Sequence, residues 1–215
     1  MDKSTTHPDA KALPQSRRGQ NTRKGLLKAA RVVFERDGFI NAKISDITLA
    51  ADVASGSFYT YFSDKRDVFM ALVEQVEDEM LHLELHLDPD TDDPIEKIRA
   101  TNRAYLVAYR DVAPLMKVLE QVATLDEEFR ALRVRRGDSF NRRNAKSILR
   151  LQAEGLADRS LDAELAAMAL SAMVGRVAYS VFALGSKGAT MDDLVETLTV
   201  LWVNALRIER SRPDQ

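Results

Sequence analysis

The segment from Ile44 to Lys65, ISDITLAADVASGSFYTYFSDK, restricts the fold of this chain more than any other stretch. Ser45 to Ala51 reads as one short helix, Asp52-Val53-Ala54 as a tight turn, and Ser55 to Phe62 as a second short helix. Those are the proportions of a helix-turn-helix. Ile44, Ile47 and Ala51 fall three and four apart, Val53 plugs the corner, and Phe58 and Phe62 put two rings on one face of the second helix. The face left over is small and polar: Ser55, Gly56, Ser57, Tyr59, Thr60 and Tyr61. A helix without long side chains can approach its partner closely, and its length suits the major groove of DNA. There the N-terminal residues of a recognition helix reach base edges while hydroxyls and a nearby lysine hold phosphates.

The charge distribution agrees with that reading. The 215 residues carry a formal net charge of only −2, but residues 1–66 hold 12 Lys+Arg against 7 Asp+Glu, leaving 19 against 26 for the rest. A basic front on an acidic remainder fits a DNA-binding head on a body that does not bind DNA. The length allows one large domain or two small ones, and 45% apolar residues suffice for a globular core. With no cysteine, neither disulfides nor thiolate metal sites hold the fold, as expected in a cytoplasmic protein. No apolar run of membrane-spanning length is expected, and the first twenty residues are too polar for a signal peptide.

Together with Thr22 to Phe39, TRKGLLKAARVVFERDGF, the segment resembles the tetracycline-repressor (TetR) family of bacterial transcriptional regulators. The matching positions are Ala29-Ala30, Phe34, Gly38-Phe39, Ile44, Ile47, Ala51, Val53, Gly56, Phe58-Tyr59, Tyr61-Phe62 and Lys65. Three positions depart from the family pattern: Lys43 and Ala54 stand where hydroxyl caps are usual, and Asp52 where a turn glycine is usual. Asp52 can take the left-handed conformation at modest cost. Ser45 and Ser55, one residue along, are placed to replace the lost hydroxyls. The resemblance implies that Ser55, Gly56, Ser57 and Thr60 face bases while Ser45, Tyr59, Tyr61 and Lys65 hold phosphates. It implies dimerisation through the last two helices, and a body cavity for a small effector.

Met1 to Gln20 contains Pro8, Pro14 and Gly19 among polar residues and has no apolar period, so residues 1–20 are expected to be a disordered basic arm. Lys11, Arg17 and Arg18 could follow the phosphate backbone or enter a minor groove, the alternative being a solvated tail. A head of residues 21–66 and a body of residues 67–215 follow. The first helix is expected from Thr22 to Asp37, ended by Gly38. Ser63 caps the next long helix, whose period from Val68 to Leu87 lasts until Asp88-Pro89, making a lever between head and body. His82 and His86 stand four apart with Glu79 on their side, a spacing zinc could use. No further His or Cys cluster completes a site, so no metal is expected.

Pro94 to Asp111 reads as an amphipathic helix, and Pro114 as the start of another. Asp126 to Gly155 follows, with a basic run of Arg130, Arg133, Arg135, Arg136, Arg142, Arg143, Lys146 and Arg150. Acidic residues interrupt it, so it reads as a solvated face. Leu161 to Leu184 is almost wholly apolar, which implies burial on most sides, and Thr190 caps a last helix from Met191 to Glu209. Ala172, Gly175, Leu194, Leu198, Leu201, Trp202 and Ala205 are the expected dimer surface, an isologous four-helix arrangement being the simplest closed form. Arg176 must be paired or reach water: an intrachain salt bridge, a dimer contact and an anchor for an acidic ligand all remain open. Tyr105, Tyr109, Met116, Phe140, Met173, Arg176 and Tyr179 are the candidate effector-lining residues.

The expected chain is therefore all-α, about nine helices, with a three-helix helix-turn-helix head and a helical ligand-binding and dimerisation body. It is expected to act as a homodimeric repressor on a pseudo-palindromic operator in double-stranded DNA, released by a small lipophilic or acidic effector, with no cofactor and no membrane partner. An architectural or adaptor protein on the same frame is the alternative. An enzyme is not expected: there is no Gly-rich phosphate loop, no nucleophile–base arrangement and only 3 histidines.

Overall fold

The computed structural model describes residues 14–83 and 92–208. Lys11, His86 and the start of the acidic loop at Asp88 lie outside them. Among the described residues there are eight α-helices and no strand: α1 (Arg17–Asn41), α2 (Ile44–Ala50), α3 (Ser55–Tyr61), α4 (Lys65–Leu81), α5 (Pro94–Ala123), α6 (Glu127–Ala153), α7 (Ala163–Ala178) and α8 (Met191–Leu206). A single π-helical turn, Tyr179–Ala183, extends α7. The all-α class and the helix-turn-helix head are as expected.

The chain forms two compact units, and their boundary is not a single point in the sequence. One unit comprises the residues up to Glu77 together with Val118–Arg130; the other comprises Asp78–Lys117 and everything from Ala131 onward. The first unit is built on an apolar stripe of α1, Leu26, Leu27, Ala30, Val33 and Phe34, with Ile47, Phe58, Phe62, Val68 and Phe69 equally buried. Phe34, Phe39, Phe69 and Phe129 form a ring cluster with centroid separations of 4.9–5.8 Å, edge-on contacts predominating. Phe129 lies far beyond the others in sequence, yet it completes their packing.

Several expected boundaries move. α1 begins at Arg17, five residues before Thr22, because the Ser16 hydroxyl accepts from the Gly19 N–H at 3.1 Å and caps the helix. Arg17 to Gln20 are therefore helical, not part of a disordered arm. The helix breaks at Gly38, whose φ of 72° and ψ of 171° suit glycine alone, and one more turn carries Phe39 to Asn41. Asp64, not Ser63, caps α4: its carboxylate accepts from the Asp67 N–H at 2.9 Å, while Asp67 accepts from the Ser63 N–H at 2.7 Å. α4 has 17 residues, shorter than its apolar period suggested.

α5 is one helix of 30 residues with Pro114 inside it, where two helices were expected. Burial of Tyr109, Val112, Ala113, Leu115 and Met116 on both sides of the proline holds the helix through the missing N–H, so packing overrides the local breaker. In the second unit Asn102 donates to Thr199 at 3.2 Å and Thr199 to the Val195 carbonyl at 2.7 Å, a buried polar link between α5 and α8. Arg99–Glu196 and Arg103–Asp192 flank it, and Asn144 joins α6 to Ser171 of α7 at 2.8 Å. α7 and α8 are side-chain capped by Asp162 and Thr190, the latter in a reciprocal capping box with Asp193.

The apolar helix near the end of the chain departs furthest from expectation. Ala163–Ala183 is long and apolar enough to cross a membrane by length and composition, although no such run was expected. Nor is it buried on most sides within the chain: Leu165 is 60% exposed and Met168 50%, on the same stripe as exposed Ala172 and Arg176.

Candidate nucleic-acid interface

The turn between α2 and α3 is made by backbone geometry where the hydroxyl caps are missing. Asp52 adopts φ 51° and its N–H donates to the Leu49 carbonyl at 3.2 Å, as the turn reading requires of the residue replacing glycine. The Val53 N–H donates to the Thr48 carbonyl at 3.1 Å, and neither Lys43 nor Ala54 offers a side-chain cap. A seven-residue helix is too short to persist alone. α3 is held by Phe58 and Phe62, both buried, with ring centroids 5.7 Å apart and the Arg23 guanidinium 5.2 Å from the Phe62 ring.

Anchoring those two rings turns the remaining side chains outward. Ser55, Gly56, Tyr59 and Thr60 are exposed, and Ser57 and Tyr61 are half-buried. Beside them lies a cleft of about 350 Å³ between the start of α1 and the turn and body of α3, lined by Ser16, Arg18, Thr22, Ser57, Thr60 and Tyr61 among others. Glycine at position 19 lets Pro14 pack on the start of α1, since a Cβ there would lie 2.8 Å from that of Pro14. Thr22 was not among the expected contact residues, and Arg18 was expected only within a disordered basic arm. The Ser16 cap that positions them leaves a weak signal, because glycine occupies the position where a capping box would put Glu.

Lys65, expected at a phosphate, has partners within the chain. Its ammonium donates to the carbonyls of Ile40 and Ala42, each at 3.0 Å, and lies 4.9 Å from the Phe39 ring centroid; burial pulls its pKa down. It therefore ties the start of α4 to the α1–α2 connection. Arg66 beside it chelates the Asp126 carboxylate, reaches Glu128 and lies 5.1 Å from the Phe129 ring, holding the Asp126 carboxyl below the usual range. Ser45 is exposed and meets the Asp46 carboxylate at 3.4 Å.

In the second unit, Tyr109, Met116 and Phe140 are buried and Tyr105, Met173 and Tyr179 half-buried. Tyr105 contacts both Tyr109 and Phe140 with centroids 5.7 Å apart. Arg176 is outside this cluster: it is exposed, its guanidinium 5.6 Å from the Tyr179 ring. Arg136 and Arg143, expected on a solvated face, instead turn toward Phe140. Among the residues expected on a dimer surface, Leu194, Leu198 and Trp202 are buried within the single chain, and Gly175 is so close to α5 that a Cβ on it would lie 3.6 Å from the Tyr105 hydroxyl. Ala172, Leu201 and Ala205 remain exposed. The His82 Nδ1–H donates to the Asp78 carbonyl at 2.9 Å, and no group of metal-ligating side chains occurs among the described residues.

The profile for bacterial regulatory proteins of the tetR family matches residues 26–72, and that for the C-terminal domain of the transcriptional regulator EthR matches residues 98–207. The HTH-type transcriptional regulator YdgC of Bacillus subtilis is 43% identical over 56 residues, 26% of this chain and 29% of that protein. The HTH-type transcriptional repressor NicS of Pseudomonas putida is 29% identical over 85 residues, 40% of each chain. The match to these curated relatives thus spans well under half of their length. Among solved structures, SmeT, the repressor of the Stenotrophomonas maltophilia multidrug efflux pump SmeDEF, superposes with TM-score 0.70 at 19% identity, covering 88% of this chain and 91% of SmeT. The SmeT–triclosan complex gives 0.75 at 18%, covering 91% and 97%. At such identities the likeness speaks for the fold. The two profiles, one over the helix-turn-helix and one over half of the chain, speak for descent: the chain belongs to the TetR family of bacterial transcriptional regulators, which are DNA-binding proteins and not enzymes.

Proposed function

We propose that this protein is a ligand-responsive repressor that binds a pseudo-palindromic operator as a homodimer in the cytoplasm. The observation that carries the reading is the outward face of α3, where Ser55, Gly56, Tyr59 and Thr60 are exposed because Phe58 and Phe62 anchor the opposite face. Residues 21–66 carry DNA recognition, with Ser55, Gly56, Ser57 and Thr60 toward bases; residues from 67 onward carry effector binding and dimerisation. Phosphates are held by Ser45, Tyr59 and Tyr61, joined by Arg18 and Thr22 from the cleft beside α3. Lys65 acts by fixing the α1–α2 connection. Hydroxyls this short discriminate weakly, so DNA shape and bridging water supply part of the specificity.

Two heads joined through their bodies enter major grooves whose half-site centres are about 34–36 Å apart or a related multiple. The exposed α7 stripe, with Leu201 and Ala205 of α8, is the joining face. An effector releases DNA by binding the released conformation more tightly than the bound one. That SmeT has been seen with triclosan supports a small-molecule effector in a body of this fold.

Gel shifts on DNA upstream of the protein's own gene, repeated across a salt series, test the head. Arg18→Ala is expected to weaken binding to every sequence and lower the salt slope by about one, whereas Ser57→Ala should reorder preferences among operator variants. Unchanged affinity and unchanged preference in both variants would remove α3 and its cleft as the contact surface.

A further inference from the structure

We infer that Arg136 and Arg143 are the anion-binding end of the effector site and that the effector is a small organic carboxylate; this rests on the reading above that the body takes an effector. Both arginines belong to the basic run of α6, yet they are half-buried while Arg133, Arg135 and Arg142 of the same run are exposed. Seven residues apart, they lie two helical turns from each other with Phe140 between them. Their guanidinium carbons lie 5.5 and 5.3 Å from the centroid of that one ring. Tyr105 of α5 meets Phe140 edge-on at 5.7 Å, and its hydroxyl is near enough to Arg136 to feel that charge.

What is missing around the pair, among the described residues, is a paired carboxylate. Among the described residues no carboxylate pairs with either guanidinium, although Arg66, Arg99 and Arg103 each meet at least one. Arg136 donates to the Met80 sulfur at 3.3 Å, a weak acceptor, and its Nε is buried with no partner. Arg143 donates to the Leu81 carbonyl at 3.2 Å, and burial pulls its pKa down, with Tyr105 acting in the opposite sense. Two partly desolvated like charges against one ring are costly to hold apart from an anion. A carboxylate has two oxygens, one for each planar fork. Tyr105 and Phe140 supply the apolar wall that an organic body requires.

The placement also links the ligand to α4. Met80 and Leu81 are the last residues of that helix, whose first residue, Lys65, anchors the α1–α2 connection. An anion drawing the two forks away from Met80 and Leu81 changes what holds the end of the helix.

Isothermal titration of the full-length protein with two matched pairs, decanoate against decanamide and naphthalene-2-carboxylate against naphthalene-2-carboxamide, tests the inference. At least one carboxylate should bind tenfold or more tightly than its amide. That preference should vanish in Arg136→Gln and Arg143→Gln and persist in Arg142→Gln, an exposed neighbour. Arg136→Lys and Arg143→Lys, which keep charge but lose the fork, should retain only part of it and show that the loss is not one of folding. If no carboxylate exceeds its amide, or if the preference survives in both glutamine variants, the assignment is wrong. Operator binding measured on the native protein separates the two proposals: intact DNA binding with no carboxylate preference sinks this one alone, and loss of DNA binding sinks the other.

Discussion

The Lys65 ammonium reaches the carbonyls of Ile40 and Ala42 at 3.0 Å and the Phe39 ring at 4.9 Å, so two of its three donors end on backbone exposed by the break at Gly38. A phosphate contact and a structural tie make opposite predictions for Lys65→Met, which keeps the stem and loses the charge. The tie predicts a loss of about 1–2 kcal/mol in stability, since hydrogen bonds from a charged donor are worth roughly 1.5–3 kcal/mol each and part of this group remains in water. It also predicts that the slope of log affinity against log salt stays as in the native protein. A phosphate contact would lower that slope by about one. Chemical denaturation and salt-series gel shifts on one preparation distinguish the two. Sequence identifies Lys65 as a charge at the start of a helix. Its partners cannot be read there, because carbonyls freed by a glycine twenty-seven residues earlier leave no side-chain signature.

At the scale of elements, α2 and α3 are legible because their signals are short-range. Ile47, Phe58 and Phe62 occupy one side at helical spacing, and Asp52 supplies the left-handed residue the turn needs. α5 reads from sequence as two helices because Pro114 has the local chemistry of a helix start, while tertiary packing keeps it inside one helix. The first turn of α6 escapes notice as part of the head for another reason: nothing near Phe129 in sequence indicates that its ring meets Phe39 and Phe69 at 5.1 and 5.3 Å. Phe129→Ala should therefore cost about 3–5 kcal/mol, the range for removing a fully buried ring. The heaviest loss should fall on the helix-turn-helix, read as faster amide exchange in residues 44–62. Ordinary exchange there, with loosening confined to residues from 131 onward, would place Phe129 in the other unit.

For the whole molecule, the apolar stripe of α7 is uncovered among the described residues, and the proposed homodimer would cover it. Leu165 and Met168 are 60% and 50% exposed on a helix otherwise apolar enough for a membrane, and a second copy of the chain is the cover consistent with a paired operator. Leu165→Glu with Met168→Glu should give a monomer by light scattering, since two buried charges would face their own copies. Loss of paired binding should weaken operator affinity about a hundredfold or more while half-site affinity changes little. A dimer that survives both substitutions would put the interface elsewhere.

The corner from Val118 to Arg130 carries one more implication, for ancestry and engineering. Arg66 clasps Asp126, and Phe129 closes a set of rings begun by α1 and α4, so the amino-terminal third is not a detachable cassette. Recombination that exchanged DNA specificities between cousins by one crossover after Glu77 would strand three phenylalanines beside a foreign loop. A working chimaera would have to graft two separate stretches at once.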